Sequence, residues 1–115
     1  MTPQYSKLMT AAWKNFSDEV KQLINQGSDV NEKNETGVTA LMSAAAKDSF
    51  ESAKILIENG ADINARDFNQ ATPLMYATVR NSHKVIKLLI DSGADINAKD
   101  NDGTTVLIIA KLLQP

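Results

Sequence analysis

The sequence predicts an all-α repeat fold, a solenoid of about three and a half helix-turn-helix units carrying short turn fingers. Three observations predict it. First, residue types recur every 33 positions: Gly27, Gly60 and Gly93; Asp29, Asp62 and Asp95; Val30, Ile63 and Ile96; Asn31, Asn64 and Asn97; Leu8, Leu41, Leu74 and Leu107; Ala11, Ala44, Ala77 and Ala110. Second, helix-start and helix-stop signals fall at fixed places within that period. Third, hydrophobic residues make up 43% and charged residues 23% of the 115 positions. That is enough apolar material for a packed core and too much for a disordered chain.

The helix starts come first in each unit. Thr39, Thr72 and Thr105 stand one period apart, with Ser6 as their first member. A hydroxyl at that place accepts a backbone N–H and caps a helix. Pro73 follows Thr72 at the first helical position, where its missing N–H costs nothing. Leu41 with Ala44, and Leu74 with Ala77, lie on one helix face, and the alanines let neighbouring helices approach. A short loop containing Asp48 or Asn81 follows, with Ser49 or Ser82 expected to cap a second helix. There Ala53, Leu56 and Ile57 share a face, as do Ile86, Leu89 and Ile90. Gly60 and Gly93 then end the helix, where a left-handed residue is wanted.

Each unit opens on a turn. Asn34-Glu35-Thr36-Gly37 and Asp100-Asn101-Asp102-Gly103 place Gly where a positive φ is required. The matching turn, Asp67-Phe68-Asn69-Gln70, has Gln70 there, which predicts either strain or a shifted turn. The last unit has one helix, rich in Val106, Leu107, Ile108, Ile109, Leu112 and Leu113. Leu107 and Ala110 are expected to cover the third unit, and the short helix to tuck in and bury most of the rest. The alternative is an exposed apolar patch that meets a partner or a second copy.

These residues resemble the ankyrin-repeat family over essentially the whole chain. The family unit has 33 residues, a β-turn and two helices, with a Thr-Pro-Leu-His-like start. Thr72-Pro73-Leu74-Met75 matches it with Met in the His place, and Thr39-Ala40-Leu41-Met42 and Thr105-Val106-Leu107-Ile108 are looser copies. Gly60-Ala61-Asp62-Ile63-Asn64-Ala65 and Gly93-Ala94-Asp95-Ile96-Asn97-Ala98 match the repeat ending. The resemblance implies an ankyrin solenoid with β-turn fingers. It would form one domain over residues 1–115, with repeats at 1–33, 34–66 and 67–99 and a partial C-terminal cap at 100–115. The Met-rich helix starts resemble those of short bacterial ankyrin proteins.

No catalytic constellation is visible. The single histidine, His83, opens a helix and has no nucleophile–acid set around it in sequence. One histidine and no cysteine supply no zinc set and no disulfide. Asp29, Asp62 and Asp95 stand one repeat apart, too far to share an ion, and read as loop carboxylates bonding nearby backbone; the asparagine column reads the same way. The glycines are isolated by the period and form no phosphate loop. No cofactor is expected. A net charge of -2 and 5% aromatics give no support for nucleic-acid binding. No apolar run approaches the roughly 20 residues of a membrane span, so no membrane contact is expected. The N-terminus has no signal-peptide pattern, which makes a cytoplasmic location the default and a periplasmic or secreted one conditional on a removed leader.

The expected function is therefore protein binding without catalysis, as an inhibitor, immunity-type or regulatory protein of an enzyme. A scaffolding or targeting segment of a larger protein is the alternative, and an enzyme the remote one. The resemblance places the partner on the concave face, made by finger tips and the outward side of each first helix. Carried over by position, the tip residues are Tyr5, Glu35, Thr36, Val38, Phe68, Asn69, Asn101 and Asp102. Those on the first helices are Trp13, Lys14, Lys47, Val79 and Arg80, with Leu112 and Leu113 in the last unit. Phe68 and Trp13 are candidate anchors, since aromatic side chains are enriched among binding hot spots. Lys14, Lys47 and Arg80 form a basic ladder suited to carboxylates on a partner, flanked by acidic tips at Glu35, Asp67, Asp100 and Asp102. A monomer is expected, with the apolar C-terminal end as the one place for self-association.

Overall fold

The computed structural model describes residues 4–113, with side chains through Lys111. Among the described residues seven helices follow in order: α1 (Lys7–Trp13), α2 (Ser17–Asn25), α3 (Ala40–Ala46), α4 (Phe50–Glu58), α5 (Pro73–Val79), α6 (His83–Asp91) and α7 (Val106–Leu113). The odd-numbered helices stack as an inner layer, and α2, α4 and α6 stack behind them as an outer layer.

The inner helices start where the hydroxyls predict. Ser6, Thr39, Thr72 and Thr105 accept the backbone N–H of Met9, Met42, Met75 and Ile108 at 3.1, 3.4, 3.3 and 3.3 Å. Ala11, Ala12, Ala44, Ala45 and Ala77 are fully buried between the layers. Without larger side chains there, the helix axes come close enough for Leu8, Leu41, Leu56, Leu74, Val85 and Leu89 to fill a continuous core.

The outer helices end as predicted. The Ala61 N–H reaches the Leu56 carbonyl at 3.0 Å and the Gly60 N–H reaches Ile57 at 3.1 Å, with Gly60 at φ 93°. This paired pattern satisfies the last carbonyls and needs the left-handed residue. How the outer helices begin differs from expectation. The side chains of Ser49 and Ser82 make no cap bond to their own helices. Ser49 Oγ turns instead to the Trp13 carbonyl at 3.1 Å. The caps come from the preceding repeat: Asn15 Oδ1 accepts from the Ser52 N–H at 3.1 Å, and Asp48 Oδ1 from the Val85 N–H at 3.0 Å. Asn15 also donates to Glu51 at 2.9 Å, and that bond holds the Glu51 carboxyl below its ordinary pKa.

The asparagine column likewise reaches forward one repeat. Asn31 donates to the Gly60 carbonyl at 3.0 Å and accepts from the Asp62 N–H at 2.7 Å. Asn64 repeats this with Gly93 at 3.4 Å and Asp95 at 2.8 Å. Asp29, Asp62 and Asp95 bond the backbone N–H two residues on, at 2.9, 3.0 and 2.9 Å, as loop carboxylates were expected to.

The last unit departs from expectation. Leu107 is 64% exposed, whereas Leu8, Leu41 and Leu74 in the same column are 4%, 1% and 2% exposed. That column points between an inner helix and the outer helix of its own repeat, and among the described residues no outer helix opposes α7. Ile109, buried with Met75 and Ala98, and half-buried Val106 make the contact with the third repeat instead. Ile108 is also exposed, so among the described side chains of α7 only Ile109 is buried. Ile90 on α6, expected to share a buried face with Leu89, is about half exposed for the same reason.

Candidate functional site: the concave groove

The three fingers stand in a row against the inner helices. Each is built on an acidic or amide side chain that gathers backbone N–H groups. Asn34 Oδ1 takes those of Thr36 and Val38, both at 3.0 Å; Asp67 Oδ1 takes those of Asn69 and Ala71, both at 2.9 Å; Asp100 Oδ1 takes those of Asp102 and Thr104, both at 2.9 Å. Neighbouring fingers join through the backbone, Phe68 N–H to Thr36 O at 3.0 Å and Asn101 N–H to Asn69 O at 2.9 Å. Gln70 keeps the turn of its neighbours. Its N–H bonds the Asp67 carbonyl at 2.9 Å, as Gly37 and Gly103 bond theirs at 3.0 Å, with φ at 65°. The outcome at Gln70 is thus backbone strain, not a shifted finger.

Between fingers and inner helices runs an open groove of about 930 Å³. Its floor is a methionine column, Met9, Met42 and Met75, with Ile109, from the adjoining column of Thr10, Ser43 and Tyr76, lining the last unit. Trp13, Ala46 and Val79 line the helix side, one from each repeat, and Tyr76 rises from the floor. The Tyr76 hydroxyl donates to Asp67 Oδ2 at 2.6 Å. Burial first, and then this carboxylate, push the phenol well above its ordinary pKa of 10.0. Tyr76 therefore stays a neutral donor, tied to the middle finger through Asp67.

Of the positions expected to meet a partner, Tyr5, Trp13, Thr36, Val38, Asn69, Val79, Arg80 and Asp102 line this groove. Val38 is corrected from a projecting tip residue to a floor residue. It is 7% exposed and packs with Met42 and Ala65, because the Asn34 turn folds its side chain inward. Asp67, expected as a solvated acidic tip, is buried and fully engaged with Tyr76 and its own turn. Glu35, Lys14, Lys47, Phe68 and Asn101 are exposed but lie outside the lining. Leu112 and Leu113 lie outside the described side chains.

The basic ladder has a structural basis. Lys14, Lys47 and Arg80 are the C-cap residues of α1, α3 and α5, where a cation meets the negative end of the helix dipole. Lys47 Nζ lies 4.7 Å over the Trp13 ring and Lys14 Nζ 5.7 Å from the Phe16 ring. The first stack braces Trp13, which remains 45% exposed at the groove. Phe68 is 62% exposed at its finger tip, and its ring edge rests on Gly37, where a Cβ would come within 2.8 Å of Cδ1.

Sequence reasoning missed the floor. Met9, Met42 and Met75 recur every 33 residues, and so do Thr10, Ser43 and Tyr76; the methionines are at most 2% exposed and belong to the core, and only the groove's shape marks them as its floor. Among the described residues no group of three His, Cys, Asp or Glu side chains is placed to hold a metal ion, and no helix is long and apolar enough to cross a membrane.

A helical stack with turn fingers along one side and a groove beneath them defines a repeat protein of the ankyrin type. Residues 8–100 match the family of ankyrin repeats (3 copies), with a second match over residues 69–112. The chain belongs to the ankyrin-repeat family. Ankyrin repeats are in general protein–protein interaction modules, and the family is typically non-catalytic. No curated protein matches the chain.

Proposed function

We propose that the chain binds a partner protein in its concave groove, without catalysing a reaction, and acts on that partner as an inhibitor or regulator. The groove's composition carries this reading. Its floor and helix wall are methionine, tryptophan and valine, and Trp13 and Val79 stay about half exposed. The methionines beneath are at most 2% exposed and support the groove from the core, so the half-exposed Trp13 and Val79 are its contact surface, and a braced indole needs little ordering on binding.

Charge orients the partner. Cations line the helix C-termini at Lys14, Lys47 and Arg80, and exposed acids stand on the fingers at Glu35 and Asp102. A fitting partner segment offers apolar side chains to the wall at Trp13 and Val79, carboxylates to the ladder and basic groups to the fingers. Phe68, beyond the groove edge, would extend the contact over the middle finger.

The test is affinity capture of a partner, followed by calorimetric and kinetic titration of the purified pair. Trp13→Ala is expected to weaken binding by about 2 kcal/mol. Lys47→Glu combined with Arg80→Glu is expected to slow association and flatten its salt dependence. A partner whose binding is unmoved by both sets of substitutions would remove the groove from the account.

A further inference from the structure

We propose that the first finger, residues 34–38, is the moving wall of the concave groove, poised to open while the middle finger, residues 67–71, stays closed. The device belongs to the free protein and stands independently of what the groove binds.

The two fingers share one turn and differ in what ties it down. Asp67 uses both carboxylate oxygens: Oδ1 holds the N–H groups of Asn69 and Ala71, and Oδ2 receives the Tyr76 hydroxyl at 2.6 Å. Asn34 stands one period earlier and offers an amide. Its Oδ1 holds the N–H groups of Thr36 and Val38 and the Thr36 hydroxyl. Its Nδ2, in the place of Asp67 Oδ2, is buried and has no partner among the described residues. The helix residue that would meet it is Ser43, one period before Tyr76. The Ser43 hydroxyl turns instead to the Thr39 carbonyl of its own helix at 3.4 Å. The first finger thus lacks the tie to an inner helix that the middle finger has.

Three effects decide which finger opens first. Bonds to a carboxylate are roughly twice as strong as those to a neutral amide oxygen. A buried N–H without an acceptor forfeits its bond to water while the finger is closed and regains it on opening. Both effects favour opening of the first finger. Val38 opposes them: it is 7% exposed on Met42 and Ala65, where the middle finger has only half-buried Ala71. The extra carbons of valine are outweighed by an orphan donor together with the missing phenol–carboxylate bond.

Opening lifts Val38 from Met42 and breaks the backbone bond from the Phe68 N–H to the Thr36 carbonyl. The groove widens above Met42, and the Asn34 amide reaches an acceptor on water or on a partner. Adaptation to a partner's shape falls to this wall, because the methionines beneath are fixed in the core.

The test is native-state hydrogen exchange of the 115-residue protein, followed by amide NMR. Val38 and Ala71 donate the equivalent finger bond, so their protection, corrected for intrinsic exchange rates, compares the two openings. Val38 is expected to be less protected than Ala71 by about tenfold or more. Exchanging the side chains should exchange the behaviour. Asn34→Asp with Ser43→Tyr copies the middle pair into the first finger and is expected to raise Val38 protection about tenfold. Asp67→Asn with Tyr76→Phe copies the first finger into the middle one and is expected to lower Ala71 protection about tenfold. Either pair decides if the other fails to fold. Ala71 exchanging as fast as Val38 in the parent overturns the proposal. So does a difference that a folded swap leaves unmoved, since that would assign it to place in the stack.

Discussion

Gln70→Gly is expected to stabilise the protein. Three fingers share one turn, and the residue at its fourth position has φ 84° at Gly37, 65° at Gln70 and 74° at Gly103. The turn bonds are alike, so the left-handed conformation is imposed on Gln70 by the fingers on both sides. An L-residue with a Cβ is disfavoured there by about 1–2 kcal/mol. Glycine removes that cost and adds about 0.4–1 kcal/mol of unfolded-state entropy, leaving a net gain of about 0.8 kcal/mol at the midpoints of the two ranges. The Gln70 carbonyl that Arg66 holds at 3.1 Å is backbone and survives the change. Urea denaturation followed by circular dichroism measures the gain as a higher midpoint at constant slope.

Two companions make that reasoning sharp. Gly103→Ala is expected to cost about 1–2 kcal/mol, because an added Cβ meets nothing within 4 Å and only the backbone penalty applies. Gly37→Ala carries the same penalty and also drives a Cβ to 2.7 Å from the Phe68 nitrogen, backbone that cannot yield cheaply. Its cost should exceed that of Gly103→Ala by about 1 kcal/mol or more. A neutral or destabilising Gln70→Gly, or equal costs at the two glycines, would refute the account of finger strain.

Other expectations follow from the same geometry. Asp48→Ala and Asn81→Ala suffer similar backbone strain, but only Asp48 caps a helix, so Asp48→Ala should cost about 1–2 kcal/mol more in the same denaturation assay. Tyr76→Phe leaves the buried Asp67 short of its strongest partner and should destabilise by about 1.5–3 kcal/mol at neutral pH. Tyr76 has a raised pKa when folded, so its contribution is complete below pH 10.0 and is lost as pH rises above that, when the unfolded phenol ionises first. Stability measured above pH 10.0 should thus fall more steeply in the parent than in Tyr76→Phe, and equal slopes would count against the Tyr76–Asp67 pair.

Much of this architecture was legible because the period repeats local signals. The hydroxyl caps and the terminal glycines act within four or five residues of themselves, so their spacing in sequence is their geometry. What lay between repeats was not legible. Ser49 looks like a cap by position, yet its hydroxyl serves Trp13 and the cap comes from Asn15, 37 residues upstream of Ser52. Asn31 reads as a loop residue until its contact with Gly60 is seen. Leu107 shows the same limit from the other side: its column was recognised as structural, but whether such a leucine is buried depends on a helix that lies elsewhere. In the site, Trp13 and Arg80 were found because they vary between repeats, and the methionine floor was missed because it does not.

That last contrast explains how one surface can be built for both folding and binding. The invariant columns give the groove its depth: methionines no more than 2% exposed close the core beneath it. The variable column Trp13, Ala46, Val79 then sets the contour of the wall, bulky at the first repeat, open at the second and intermediate at the third. Ala46 precedes Lys47, whose Nζ lies 4.7 Å over the Trp13 ring, and lines the same wall as Trp13. A larger residue at 46 would compete for space on that wall. Ala46→Leu should therefore leave folding nearly untouched, since position 46 lies at the half-buried groove edge, while displacing Lys47 and unbracing Trp13. Tryptophan fluorescence reports the unbracing directly. An unchanged emission spectrum and quencher accessibility in Ala46→Leu would mean that the indole is positioned by α1 alone, and that the groove wall is set repeat by repeat and not by its neighbours.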